Sequence, residues 1–190
     1  MTCVFAIFDG RTIVMASDSA GSTEDGSIDS QKNPKMFKLT IQRKDGPIEA
    51  LIGFAGCFRA PQLLQHTLVV PEWTHGSAES YLVSKFVPEA IKVLAKNDLG
   101  NKENPFGVCQ LLLAFDGHIF VIESNGQVLE SATRFSAIGS GSEVALGAAH
   151  ALLYSKKPSW IIAEKALYAA EAFKTTVRRP FHMDYIMSAS

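Results

Sequence analysis

Thr2-Cys3-Val4-Phe5-Ala6-Ile7-Phe8, then Asp9-Gly10, then Arg11-Thr12-Ile13-Val14-Met15-Ala16-Ser17-Asp18: the chain opens as two apolar, β-branched runs around a turn dipeptide. Side chains of this kind favour a pleated, half-buried backbone, and Asp-Gly supplies the positive φ that a tight hairpin needs. The pattern predicts strands at 2–8 and 11–17 with Asp9-Gly10 as a two-residue loop. In that register Phe8 faces Arg11, Val4 faces Met15 and Thr2 faces Ser17, which brings Asp18 beside the start of the chain. Strict alternation points Asp18 away from the face of Thr2, so a bulge or twist at the strand end is expected to turn it. Ile13-Val14-Met15-Ala16 is apolar on both faces, as in a sheet covered on both sides.

The same reading extends outward. Strands are expected at 36–41 and 49–54 around Lys44-Asp45-Gly46-Pro47, and helices at 61–69 and 77–97. Ser77 is the N-cap of the second helix, Gly100 marks its end, and Pro88 kinks it. Strands at 108–115 and 118–123 flank Asp116-Gly117, and 128–131 follows Asn125-Gly126. Helices at 142–154 and 158–174 and a strand at 182–187 complete the chain. Leu111-Leu112-Leu113-Ala114 is again apolar on both faces. The order of strands, helices, strands, helices and a last strand predicts an α+β fold, four-layered αββα, in one domain spanning 1–190.

Composition narrows the function classes. The 190 residues carry 18 basic and 19 acidic side chains, a formal net charge of −1, so there is no electrostatic case for nucleic acid or an anionic membrane. With 47% hydrophobic and only 19% charged residues, the chain is lean in surface charge, which points to surface hidden in an oligomer. Cys3, Cys57 and Cys109 are odd in number and scattered, which argues against a disulfide framework and for a reducing compartment. No apolar run is long enough to span a membrane. The first residues lack a basic n-region and Asp9 interrupts their apolar run, so they do not read as a signal peptide, and a cytoplasmic protein beginning at or next to residue 1 is expected. His66, His75, His118, His150 and His182 are dispersed, so neither a metal site nor a cofactor is expected. Gly139-Ser140-Gly141 is not a dinucleotide loop, because the third glycine would fall on Val144.

One chemistry fits the opening hairpin. Once Met1 is removed, Thr2 offers a hydroxyl nucleophile and, on the same residue, an amine of pKa about 7.7–8.0 that can serve as general base. A neighbouring carboxylate and a lysine would hold and tune it.

A family resemblance sharpens this reading. Met1-Thr2, the two strands and Ala16-Ser17-Asp18-Ser19-Ala20 resemble the start of proteasome β-type subunits and of the HslV peptidase. Lys35-Met36-Phe37-Lys38-Leu39 resembles the family's catalytic-lysine strand, and Gly53-Phe54-Ala55-Gly56 its oxyanion-hole strand. Ala137-Ile138-Gly139-Ser140-Gly141-Ser142 is similar to the family's Gly-Ser-Gly turn, and Ala163-Glu164-Lys165-Ala166-Leu167 to its last long helix. The motifs run in family order over almost the whole chain. The resemblance implies an Ntn-hydrolase (N-terminal nucleophile) αββα sandwich acting as a threonine-type endopeptidase. Carried over by position, Thr2 is nucleophile and base, Asp18 fixes Lys35, Lys35 lowers the pKa of the nucleophile, Ser140 hydrogen-bonds the amine, and the Gly56 N–H stabilises the oxyanion. Ser22, Phe54, Ala55 and Phe58 fall at substrate-facing positions.

The resemblance also implies an assembly: a homo-oligomeric double ring, dodecamer or tetradecamer, degrading peptides or unfolded proteins, with an AAA+ unfoldase as natural partner. Three departures stand out. Ala20 and Gly21 replace the arginine or glutamine that members often carry there. Lys174-Thr175-Thr176-Val177-Arg178 lacks the acid with which proteasome subunits support the threonine amine. Phe58 follows the oxyanion strand where many members are smaller, so it either narrows the pocket for the substrate side chain or packs in the core. A catalytically silent or restricted ring, or an Ntn amidohydrolase of small molecules, is the alternative reading.

Overall fold

The computed structural model describes residues 2–22 and 28–188, apart from the side chains of Ser22, Ile28 and Asp29. Its elements begin with β1 (Val4–Phe8), β2 (Thr12–Ser17), β3 (Ala20–Ser22), β4 (Ile28–Ser30), β5 (Met36–Ile41) and β6 (Ile48–Ala55). Helices α1 (Arg59–Thr67), α2 (Ala78–Tyr81) and α3 (Val87–Lys96) follow, then β7 (Gln110–Phe115), β8 (His118–Ile122), β9 (Val128–Glu130) and β10 (Phe135–Ile138). The chain closes with α4 (Ser142–Leu152), α5 (Ser159–Phe173) and β11 (His182–Met187).

Two antiparallel sheets stack between helical layers. One has the order β10-β1-β2-β11, the other β5-β6-β7-β8-β9, and β3-β4 forms a separate ribbon. Alternation along the strands explains the layering. Phe5, Ile7, Val14 and Ala16 face α4 and α5, whose Ala145, Ala149, Ala163, Ala166 and Ala170 let the helices approach closely. Val4, Ala6, Ile13 and Met15 face the other way and pack on Leu51, Leu112 and Ala114 of the second sheet. That sheet's far side buries Ile52, Phe54, Leu111 and Leu113 against Leu82, Phe86 and Leu94 of the α2–α3 layer. The strands read as apolar on both faces because each sheet is covered twice. Where the sheets meet, a Cβ on Gly53 would fall 2.4 Å from Val4 Cγ1, so only glycine fits.

The opening hairpin forms, with a correction to its register. Phe8 pairs with Ile13 and Val4 with Ser17, so the loop is longer than the Asp9-Gly10 pair alone. The cause is the Asp9 side chain: its Oδ1 accepts from Arg11 N at 3.0 Å and Thr12 N at 2.8 Å, holding residues 9–12 as a closed turn. Pro88 acts as expected, through a π-turn at Leu82–Phe86 in which Val87 N–H donates to Leu82 O. Proline has no N–H and its ring crowds the carbonyl one turn back, here that of Ser84, and the wider turn relieves the conflict. Ser77 caps α2, accepting from Ser80 N at 3.1 Å. The strand expected from residue 108 begins at Gln110 instead, because residues 106–109 form a turn closed by Cys109 N to Phe106 O, 3.1 Å. Sequence reading missed β10, a strand of four residues. No helix among the described residues is long and apolar enough to cross a membrane.

Candidate active site

Thr2 continues β1 beyond its paired stretch. Its neighbour on one side is β10, in a register that matches Val4 with Ile138 and so brings residue 2 level with residue 140. Thr2 is 2% exposed. Its backbone N donates to Ser140 Oγ at 3.3 Å, and Gly141 N donates to Thr2 O at 3.1 Å. The Ser140 hydroxyl meets Thr176 Oγ1 at 2.8 Å. Thr176 thus supplies a hydroxyl in the segment where the family comparison looked for an acid, a role that a Thr-Thr pair in a loop does not announce.

The turn between β10 and α4 requires glycine. Gly139 has φ +90°, and a Cβ there would lie 2.3 Å from Thr2 O. Gly139→Ala should therefore shift Thr2 and, under the threonine mechanism proposed below, lower kcat/KM for peptide hydrolysis by roughly 10- to 100-fold while circular dichroism still reports a folded chain. Unchanged kinetics would show that the Thr2 backbone is not held here.

Asp18 and Lys35 form a fully buried ion pair, Nζ to Oδ1 2.7 Å, each 0% exposed. The corrected register does not turn Asp18 to the face of Thr2, as the expected bulge would have done. Asp18 lies opposite Cys3, donating N–H to Cys3 O at 3.1 Å and accepting from Cys3 N at 2.9 Å. Its second oxygen accepts from Ala20 N at 3.0 Å and Arg178 N at 3.3 Å. The carboxylate therefore ties β1, the start of β3 and the segment before β11 to the lysine at the head of β5. Burial lowers the Lys35 pKa, and the Asp18 charge opposes that shift. Burial, reinforced by Asp18, pushes the Cys3 thiol up to about 12, so it stays protonated at neutral pH and is no rival nucleophile.

Beside Thr2 opens a cavity of about 600 Å³ whose wall includes Ala55, Gly56, Gln110, Glu123 and Ser140. Gly56 has φ +105°, and a Cβ there would strike Val108 O at 2.1 Å, so the turn before β7 folds directly over it. Thr2, Ala55, Gly56 and Ser140 thus share one cavity. Phe54 and Phe58 do not line it. Strand alternation sends Phe54 to the far face of the second sheet, where its ring meets Phe58 edge to face at 5.5 Å within the outer core. Of the two roles open to Phe58, core packing is the one seen here. The Ser22 side chain lies outside the described residues.

The scattered cysteines are partly gathered. Cys57 Sγ and Cys109 Sγ approach to 3.3 Å as free thiols behind Gly56. Burial, then the neighbouring Cys57, pushes Cys109 up to about 12. Among the described residues no group of three His, Cys, Asp or Glu side chains is placed to hold a metal ion.

No family model matches the sequence. Solved structures resemble it over nearly its whole length. BPH of Thiobacillus denitrificans shares 18% identity at TM-score 0.77, covering 98% of each chain, and has also been solved in complex with epoxomicin. HslV of Trypanosoma brucei shares 18% at TM-score 0.70, over 97% of this chain and 99% of that one. The Anbu complex of Pseudomonas aeruginosa, a helical assembly, shares 16% at TM-score 0.68, over 97% of this chain and 81% of that one. At these identities the likeness concerns architecture, and the architecture of this chain is the α+β, αββα fold of the proteasome-like Ntn hydrolases.

Proposed function

We propose that this chain is a threonine-type endopeptidase subunit that hydrolyses peptide bonds with Thr2 after Met1 is removed. The observation that carries the reading is the placement of Thr2: buried, its nitrogen on Ser140, in the wall of a cavity that also contains Gly56. The freed amine takes the proton of Thr2 Oγ1 as the oxygen attacks the substrate carbonyl carbon. The Gly56 N–H stabilises the resulting oxyanion. Collapse breaks the C–N bond, the leaving amine takes the proton from the Thr2 ammonium, and an ester on Thr2 remains. Water, deprotonated by the same amine, hydrolyses that ester and restores the enzyme. Lys35, held by Asp18, supplies a cation to the site, and Ser140 with Thr176 orients the amine.

The reading includes assembly into a double ring that encloses these sites. Tyr154, Phe173 and Val69 are 91%, 78% and 85% exposed in the single chain, apolar side chains that contacts between subunits would cover. The Anbu complex shows that a protein of this fold assembles. Digestion of an unfolded protein, with the products sequenced by mass spectrometry, tests the proposal: wild type should generate new peptide termini and Thr2→Ala none. Identical products from both proteins would overturn it.

A further inference from the structure

The cavity at Thr2 has a chemical bias that the hydrolysis mechanism does not use. Among the described side chains lining it, Glu123 is the only one that carries charge. Glu123 follows β8 at once and is fixed by a tight turn, its N–H donating to Gln127 O at 2.9 Å. Gln110, the first residue of β7 and the partner of Ala55, donates Nε2 to Glu123 Oε2 at 2.8 Å. The carboxylate is thus held at rigid strand ends, across β7 from Ala55, the residue before Gly56. A carboxylate has about four acceptor positions, and Gln110 occupies one of them. The ion pairs among the described residues do not involve Glu123. A second cavity of about 270 Å³ shares Gln110, Glu123 and Gly139 with the first, so space continues past the carboxylate. Its own acid, Glu130, is already met by His118 Nδ1 at 2.6 Å.

We propose that Glu123 makes this cavity a subsite for a cationic side chain, lysine or arginine, lying next to the scissile bond of the substrate. The inference rests on the peptidase reading and adds its substrate class. A long aliphatic stem fills the cavity while its charged head meets the carboxylate. A neutral side chain of the same length would cover Glu123 without satisfying it, and an acidic one would be repelled.

The test uses internally quenched peptides that differ only in lysine, norleucine or glutamate at each position flanking the scissile bond. Cleavage sites are mapped by mass spectrometry for wild type, Glu123→Gln and Glu123→Lys. In parallel, an uncharged β-lactone is used to acylate Thr2. Wild type should prefer lysine over norleucine by about 10- to 100-fold in kcat/KM at one position. Glu123→Gln should remove that preference, and Glu123→Lys should turn it toward glutamate. Cleavage with no charge preference, or a preference that survives in Glu123→Gln, overturns the subsite and leaves the peptidase reading intact. Absence of both cleavage and acylation in wild type overturns the peptidase reading, and the subsite with it.

Discussion

Thr2→Ala should lower kcat/KM for peptide hydrolysis by at least about 10³-fold. In the proposed mechanism the hydroxyl is the atom that forms the ester, and the adjacent Cys3 thiol does not replace it: burial raises its pKa, so it is protonated at neutral pH. The substitution removes a hydroxyl and a methyl from the end of β1, so the melting temperature should stay within a few degrees of wild type. Thr2→Ser keeps the nucleophile and should retain measurable turnover. The pH profile carries a second check. In the proposed mechanism the base is the neutral amine, so the rate should fall as pH drops through the pKa of that amine, which the Lys35 cation holds below the ordinary α-amine range of about 7.7–8.0. Full activity in Thr2→Ala would place the chemistry elsewhere.

The second large effect is at the buried pair. Asp18→Asn leaves the Lys35 ammonium at 0% exposure without its anion, and weakens a hub that also accepts from Cys3, Ala20 and Arg178. Removing one partner of a buried pair costs about 3–5 kcal/mol, or roughly 6–20 °C in Tm for a chain of this size. Lys35→Met should cost less, because three backbone N–H groups still satisfy Asp18. The double variant should be more stable than Asp18→Asn, since it buries no cation deprived of the Asp18 charge. Activity behaves differently: each single variant and the double should lose about 10²-fold or more, because the cation is absent or displaced in all three. Thermal melts and kcat/KM on the same preparations separate the two effects. A double variant with restored activity would show that the pair is structural only.

Much of this arrangement was legible in the sequence. The two-sided apolar strands gave away the stacked sheets, and the family resemblance singled out Gly53–Gly56 and Gly139–Gly141, whose close backbone contacts only the structure shows. What escaped was set by tertiary contacts. Asp9-Gly10 is compatible with several loop lengths, and the choice was made by the Asp9 carboxylate capturing two backbone donors. Phe135-Ser136-Ala137-Ile138 is too short and too weakly patterned to declare a strand, and it exists because β1 offers it an open edge. Thr176 meets Ser140 from 36 positions further along the chain, which no local periodicity encodes. Phe58 shows the converse: its position two residues after Gly56 was clear, but its direction depended on the Phe54 ring it packs against.

The claim on which the rest depends is that Thr2 bears a free amine beside its reactive hydroxyl. Intact-protein mass spectrometry before and after an epoxyketone peptide addresses it directly. Such a probe takes the hydroxyl at its ketone and the amine at its epoxide, so it adds its whole mass only where one residue offers both. The expected result is a chain lacking Met1 that gains one probe mass, mapped to the peptide beginning at Thr2. A chain that retains Met1, or one that has lost it and gains nothing, would contradict the threonine mechanism.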